Sequence, residues 1–124
     1  MRLLSGLAAA TILTGAAISV AGPASAEPLD GPYTHTITDK SGGPFHIGGQ
    51  TPWILSPCGS TCLRIHQAAD PEWDADVHLE GKTWAGPINA HRTISFDKDT
   101  LVGKEVLTKD DGEVYNVGFT LTKA

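Results

Sequence analysis

The chain has 124 residues, with 9 Lys and Arg against 14 Asp and Glu, 14 Gly, 8 Pro, 2 Cys and a net charge of −5 with His neutral. That length holds one modest domain and excludes enzymes that set a catalytic unit beside a cofactor unit. A hydrophobic content of 40% is enough for collapse, and the acidic balance, with Lys82, Arg92, Lys98, Lys104 and Lys109 scattered among carboxylates, argues against nucleic acid as a partner.

Residues 1–26 read as a cleaved signal peptide. Arg2 supplies the positive start, Leu3 to Val20 is uncharged and apolar, and Ala24-Ser25-Ala26 fits a small-residue cleavage site. The rival reading, a transmembrane anchor of roughly 20 residues, suits a run interrupted by Ser, Thr and Gly less well. No Cys follows the run to carry a lipid, and a single Arg does not make a twin-arginine signal. Removing the segment leaves eight basic against fourteen acidic residues, or −6. The expected product is exported to the cell envelope or secreted, with no stable membrane span after processing.

Glu27 to Pro32 reads as a flexible leader, and the all-β domain is expected over 33–124. Tyr33, His35 and Ile37 alternate with Thr34, Thr36 and Thr38 as in a strand, and the Asp39 to Gly43 stretch turns it. Phe45 to Ile47 is a short candidate strand, followed by Trp53 to Ser56 and then Cys62 to His66. Trp73, Ala75, Val77 and Leu79 alternate with Asp74, Asp76, His78 and Glu80, the clearest half-buried strand of the first half. Thr83 to Ala85 is the next strand, broken by Gly86-Pro87, and His91 to Phe96, Thr100 to Thr108 and Val114 to Thr122 complete the set.

Between the strands, Cys58 and Cys62 are expected to form a disulfide, because an exported chain meets an oxidising compartment. Closing so short a loop stabilises the fold by about 2 kcal/mol. A redox pair would have two intervening residues where this one has three, and a zinc site would have only two of its ligands at finger spacing.

Helical periodicity is absent, and turn signals every 8 to 12 residues predict a single small antiparallel β-barrel or β-sandwich of seven to eight strands. The expected core is Tyr33, Ile37, Trp53, Leu55, Leu63, Ile65, Val77, Leu79, Trp84, Ile94, Phe96, Val102, Val117, Phe119 and Leu121. Alternation alone does not distinguish an open sheet from a closed one.

The series Tyr33-Thr34-x-Thr36, Trp53-x-Leu55-x-Pro57-Cys58-Gly59-x-x-Cys62, His78-Leu79-x-Gly81-x-x-Trp84-x-Gly86 and Gly118-Phe119-Thr120-Leu121-Thr122-Lys123 resembles small exported actinobacterial proteins of mycobacterial type. The resemblance spans most of the domain, and W-x-L-x-P-C-G-x-x-C is its most specific segment. It implies export and an all-β fold, and carries over no catalytic residue.

Residues able to carry chemistry each have a plainer reading beside the functional one. Asp70, Glu72, Asp74 and Asp76 alternate like calcium ligands, yet Ala75 and Gly81 stand where an EF-hand requires Gly and Glu, so a solvated acidic strand is the better reading. Of the five His, His78 lies between Asp76 and Glu80, where His66 or His91 from a neighbouring strand would complete a surface site, and His35 falls in phase with the core. Trp73, beside the acidic loop, is the tryptophan expected to be most exposed. Trp73, Asp74, Asp76 and His78 are therefore the candidate binding residues, and no catalytic residue, metal site or cofactor is assigned. The expected function is a non-catalytic, monomeric binding or interaction module for a protein, glycan or small apolar ligand. The alternatives are a histidine-dependent metal- or pH-responsive module and a small secreted hydrolase.

Overall fold

Two-residue alternation resolves into eight strands in the computed structural model, which describes residues 29–124. The signal-peptide reading of residues 1–26 lies outside the described residues. The strands are β1 (Gly31–Lys40), β2 (Gln50–Gly59), β3 (Cys62–Gln67), β4 (Trp73–Glu80), β5 (Thr83–Asn89), β6 (Arg92–Asp97), β7 (Val102–Thr108) and β8 (Val114–Lys123). Each pairs antiparallel with its neighbours in the chain, and β8 pairs back onto β1, so the sheet closes as an up-and-down barrel and not a sandwich. Short connections permit only hairpin neighbours and so an up-and-down meander, and the pairing of β8 with β1 closes it and removes the two sheet edges that an open meander would expose.

Eight strands leave an interior just wide enough for side chains to fill. Trp53, Leu55, Leu63, Ile65, Val77, Ile94, Phe96 and Phe119 are fully buried there, joined by Tyr33, Ala75, Val117 and Leu121. The rings pack at an angle to one another, with Trp53 and Phe119 centroids 5.5 Å apart and Phe96 and Phe119 centroids 6.3 Å apart. Cross-strand pairs such as Leu55 with Ile65 and Leu63 with Val77 place branched side chains side by side on the inner face. Gly103 faces Phe96, and a Cβ added at Gly103 would strike the Ser95 carbonyl oxygen and Phe96, so this position admits no side chain.

Five sequence expectations change. Phe45 to Ile47 forms no strand: Gly42, Gly43 and Gly48 take positive φ and fold the 41–49 segment into a loop. The loop binds β1 through Gly48 N donating to Ile37 O and Ile37 N to Gly49 O. Gly86-Pro87 does not end β5, which runs on to Asn89 through its pairing with β6; pairing with β4 stops at Ala85, so that ladder does not need the N–H that the proline lacks. The seventh strand starts at Val102 and not at Thr100, because the Asp97 carboxylate accepts the N–H groups of Asp99 and Thr100 and holds them in a turn. Val102 itself is 53% exposed and faces outward; Gly103 and Glu105 take the inward phase of β7. Gly31 and Pro32, expected in the leader, already belong to β1, and Leu29 packs against the core.

Candidate functional site

Two groups of interacting polar side chains bear on function, one inside the barrel and one along the outer face of β3 and β4. Within the barrel, Glu105 on β7 is 2% exposed. Its Oε2 accepts a hydrogen bond from His35 Nε2 on β1 at 2.9 Å, across the width of β8. Its Oε1 accepts Arg92 Nε at 2.9 Å and Nη2 at 2.6 Å from the adjoining β6. Burial alone would push the Glu105 carboxyl up, but the His35 hydrogen bond and the Arg92 charge outweigh it and hold the group below the ordinary carboxylate range. His35 also stacks on Trp53, with centroids 4.4 Å apart, and its Nδ1 lies 3.3 Å from Thr51 Oγ1. Trp53 Nε1 donates to Gln67 Oε1 at 3.2 Å, and Gln67 Nε2 donates to Pro71 O at 2.9 Å. These residues form a fixed polar network in a packed interior, where partnered groups give rigidity and each lost partner is costly.

The outer face has a different character. Antiparallel register sets Arg64 opposite Asp76, His66 opposite Asp74 and Cys62 opposite His78. Arg64 grips Asp76 with two parallel hydrogen bonds, Nε to Oδ1 at 2.8 Å and Nη2 to Oδ2 at 3.0 Å, which hold the Asp76 carboxyl below its usual range. His66 lies between two carboxylates, with Nδ1 2.6 Å from Asp74 Oδ1 and Nε2 3.1 Å from Glu72 Oε2. The Asp74 hydrogen bond raises its pKa; desolvation opposes the shift, and the charges of Asp74 and Glu72 add to it. Ile54 of β2, 45% exposed, stands beside His66 in register and extends the strip with an apolar surface.

At the foot of this face, Cys58 and Cys62 form a disulfide with Cα atoms 4.9 Å apart, clamping the β2–β3 hairpin where the register shifts between Pro57 and Gly59. The bridge is consistent with an extracytoplasmic protein. Ligating atoms of Cys58, Cys62 and Asp76 all lie within 4.8 Å of one another.

Of the four candidate binding residues, Asp74, Asp76 and His78 share this outer face. Trp73 does not: it turns inward, half-buried, and packs edge-on against Trp53 at 5.6 Å, because it has the same two-residue phase as Ala75 and Val77. His91 sits apart, by Asp110 on another turn. Glu105, Arg92 and Gln67 were not singled out as interior residues. The available signal is phase, since Arg92 falls on the same face as Ile94 and Phe96, and Glu105 on the same face as Gly103. Comparisons with protein-family models, curated proteins and solved structures return no match.

Proposed function

We propose that this protein is an exported, non-catalytic binding module in which a rigid barrel presents the outer strip of β2, β3 and β4 to a macromolecular partner in the envelope or outside the cell. One contrast carries the reading. The charged groups turned into the barrel, Glu105, Arg92 and His35, are bound to one another within a packed core, whereas Ile54, Arg64, His66, Asp74 and Asp76 line up on an accessible face. Such a strip offers an apolar contact flanked by charges of both signs, the composition suited to a modest interface with a polar rim. The signal-like residues 1–26 and the disulfide support export.

The test measures retention of purified protein on the envelope fraction of the producing organism. The double variant Ile54→Ser/His66→Ala is expected to lose at least about tenfold in retention, while Val102→Ser on the far wall keeps it. Equal retention of both variants overturns the reading, as does hydrolysis of ester, glycoside or peptide substrates that disappears with Glu105→Gln. A second reading, pH-responsive binding through the same strip, is favoured by His66, whose imidazole bridges Glu72 and Asp74.

A further inference from the structure

We propose that Cys58, Cys62, Asp76 and His78 form a latent tetrahedral site for a zinc-like divalent cation, closed while the disulfide is intact and opened by its reduction. The inference is independent of the macromolecular partner proposed above.

Sequence spacing supplies only half of such a site. Cys58 and Cys62 are separated by three residues, within the range used by paired thiolate ligands, but no second ligand pair follows in the chain at finger spacing. The barrel provides the second pair from the next strand. Cys62 pairs directly with His78 on β4, and Asp76, two residues earlier, projects from the same face. Directly opposed side chains have Cβ atoms about 4.5–5.5 Å apart, within the reach of an imidazole. Already in the bridged form, ligating atoms of both cysteines and Asp76 approach within 4.8 Å of one another. Tetrahedral ligands at zinc distances lie about 3.3–3.8 Å apart, so reduction has to let the two sulfurs separate while Asp76 draws closer and His78, which is not part of that group, turns in from its paired position.

The donor set suits the cation. Two thiolates, one imidazole and one carboxylate make an S2NO set of borderline softness, which selects zinc over calcium or magnesium. Arg64 completes the arrangement: by binding both oxygens of Asp76 it fixes the carboxylate, and it offsets the single negative charge of a cation bound by two thiolates and one carboxylate. The strip's other cluster is less suitable, because His66 has both ring nitrogens engaged by separate carboxylates.

The chemistry balances with an external dithiol as reductant. The dithiol gives two electrons and two protons to the Cys58–Cys62 bond and becomes a disulfide itself; the two new thiols then release their protons to water as the cation binds both sulfurs. His78 and Asp76 complete the set through a ring nitrogen and a carboxylate oxygen.

Cobalt(II) and then zinc(II) are titrated into the purified full chain, bridged or reduced with a phosphine, with circular dichroism recorded alongside. The reduced protein is expected to bind one cobalt ion with thiolate-to-metal charge-transfer absorption and tetrahedral d–d bands, to exchange it for zinc, and to melt higher with zinc than without; the bridged protein binds none. Asp76→Asn and His78→Ala should each weaken cobalt binding at least about tenfold and alter the d–d bands, whereas Asp110→Asn, on a distant turn, leaves both unchanged. Three results overturn the proposal: no cobalt spectrum in the reduced protein, a spectrum indifferent to Asp76 and His78, or unfolding on reduction that zinc does not reverse.

Discussion

Glu105→Gln removes one negative charge from the centre of the barrel and changes almost nothing in volume. The charge it removes faces Arg92 through two hydrogen bonds and His35 through one. Deleting one partner of a buried ion pair costs about 3–5 kcal/mol, mostly because the other is left uncompensated. Arg92 has 23% of its side chain exposed and can turn partly toward water, so the lower end applies and the expected loss is about 3 kcal/mol. For a domain of this size that lowers Tm by about 12–24 °C. Urea unfolding followed by tryptophan fluorescence should show a lower midpoint at unchanged slope, since both forms bury the same surface.

The pH dependence gives a second readout of the same substitution. The folded pKa of Glu105 lies below its ordinary value of 4.5, so its stabilisation is complete above that value and is lost as pH falls through the folded pKa. Wild type and variant should therefore converge in stability at acid pH. Replacing all three charged residues with apolar ones, Glu105→Leu with Arg92→Leu and His35→Phe, should return the protein to within about 1 kcal/mol of wild type, because no unpaired charge remains buried. A loss below about 1 kcal/mol for Glu105→Gln, or an equal loss at every pH, refutes the reasoning.

Gly103→Ala should destabilise by about 3 kcal/mol or more in the same urea assay, since the added methyl meets the Ser95 carbonyl oxygen and Phe96 within a close-packed ladder. Cys58→Ser should lose about 2 kcal/mol or less and keep the native circular dichroism, as expected of a bridge that closes a short hairpin loop. In an NMR titration His66 should retain its proton to a higher pH than an ordinary histidine, and Asp74→Asn should move its midpoint back toward about 6.5. Because its folded pKa is raised, the stabilisation His66 provides is present below about pH 6.5 and disappears as pH rises through the folded value.

Alternation made the strands legible where every inward position is apolar, as in Trp73–Glu80 and Val114–Lys123, and of the fifteen residues of the expected core it placed eleven in the buried cluster or packed on it, with Val117 buried beside them. It failed where inward positions are polar. On β7, treating Val102 as core sets the strand in the wrong phase, and with the correct phase Glu105 points into the barrel. No local pattern reveals that a buried carboxylate is tolerable there, because its partners His35 and Arg92 come from strands 70 and 13 residues away. Trp73 shows the complementary error: proximity to an acidic turn suggested exposure, but its phase with Ala75 and Val77 fixed its direction. The outer pairs Arg64–Asp76 and His66–Asp74 depend on the β3–β4 register, which the spacing of the turn at 68–72 does not specify. Closure of the sheet depended on β8 meeting β1, a contact between the two ends of the domain.

That last contact has a geometric result. Ala124 N donates to Pro32 O at 3.1 Å, so the first and last strands finish side by side on one rim. A short linker across this gap would permit circular permutation, with new termini opened at the Ala90-His91 turn on the opposite rim. Equally, a fusion partner or surface tether joined at Ala124 would hold the barrel by this rim and leave the turns at 41–49, 68–72 and 109–113 facing away from the support.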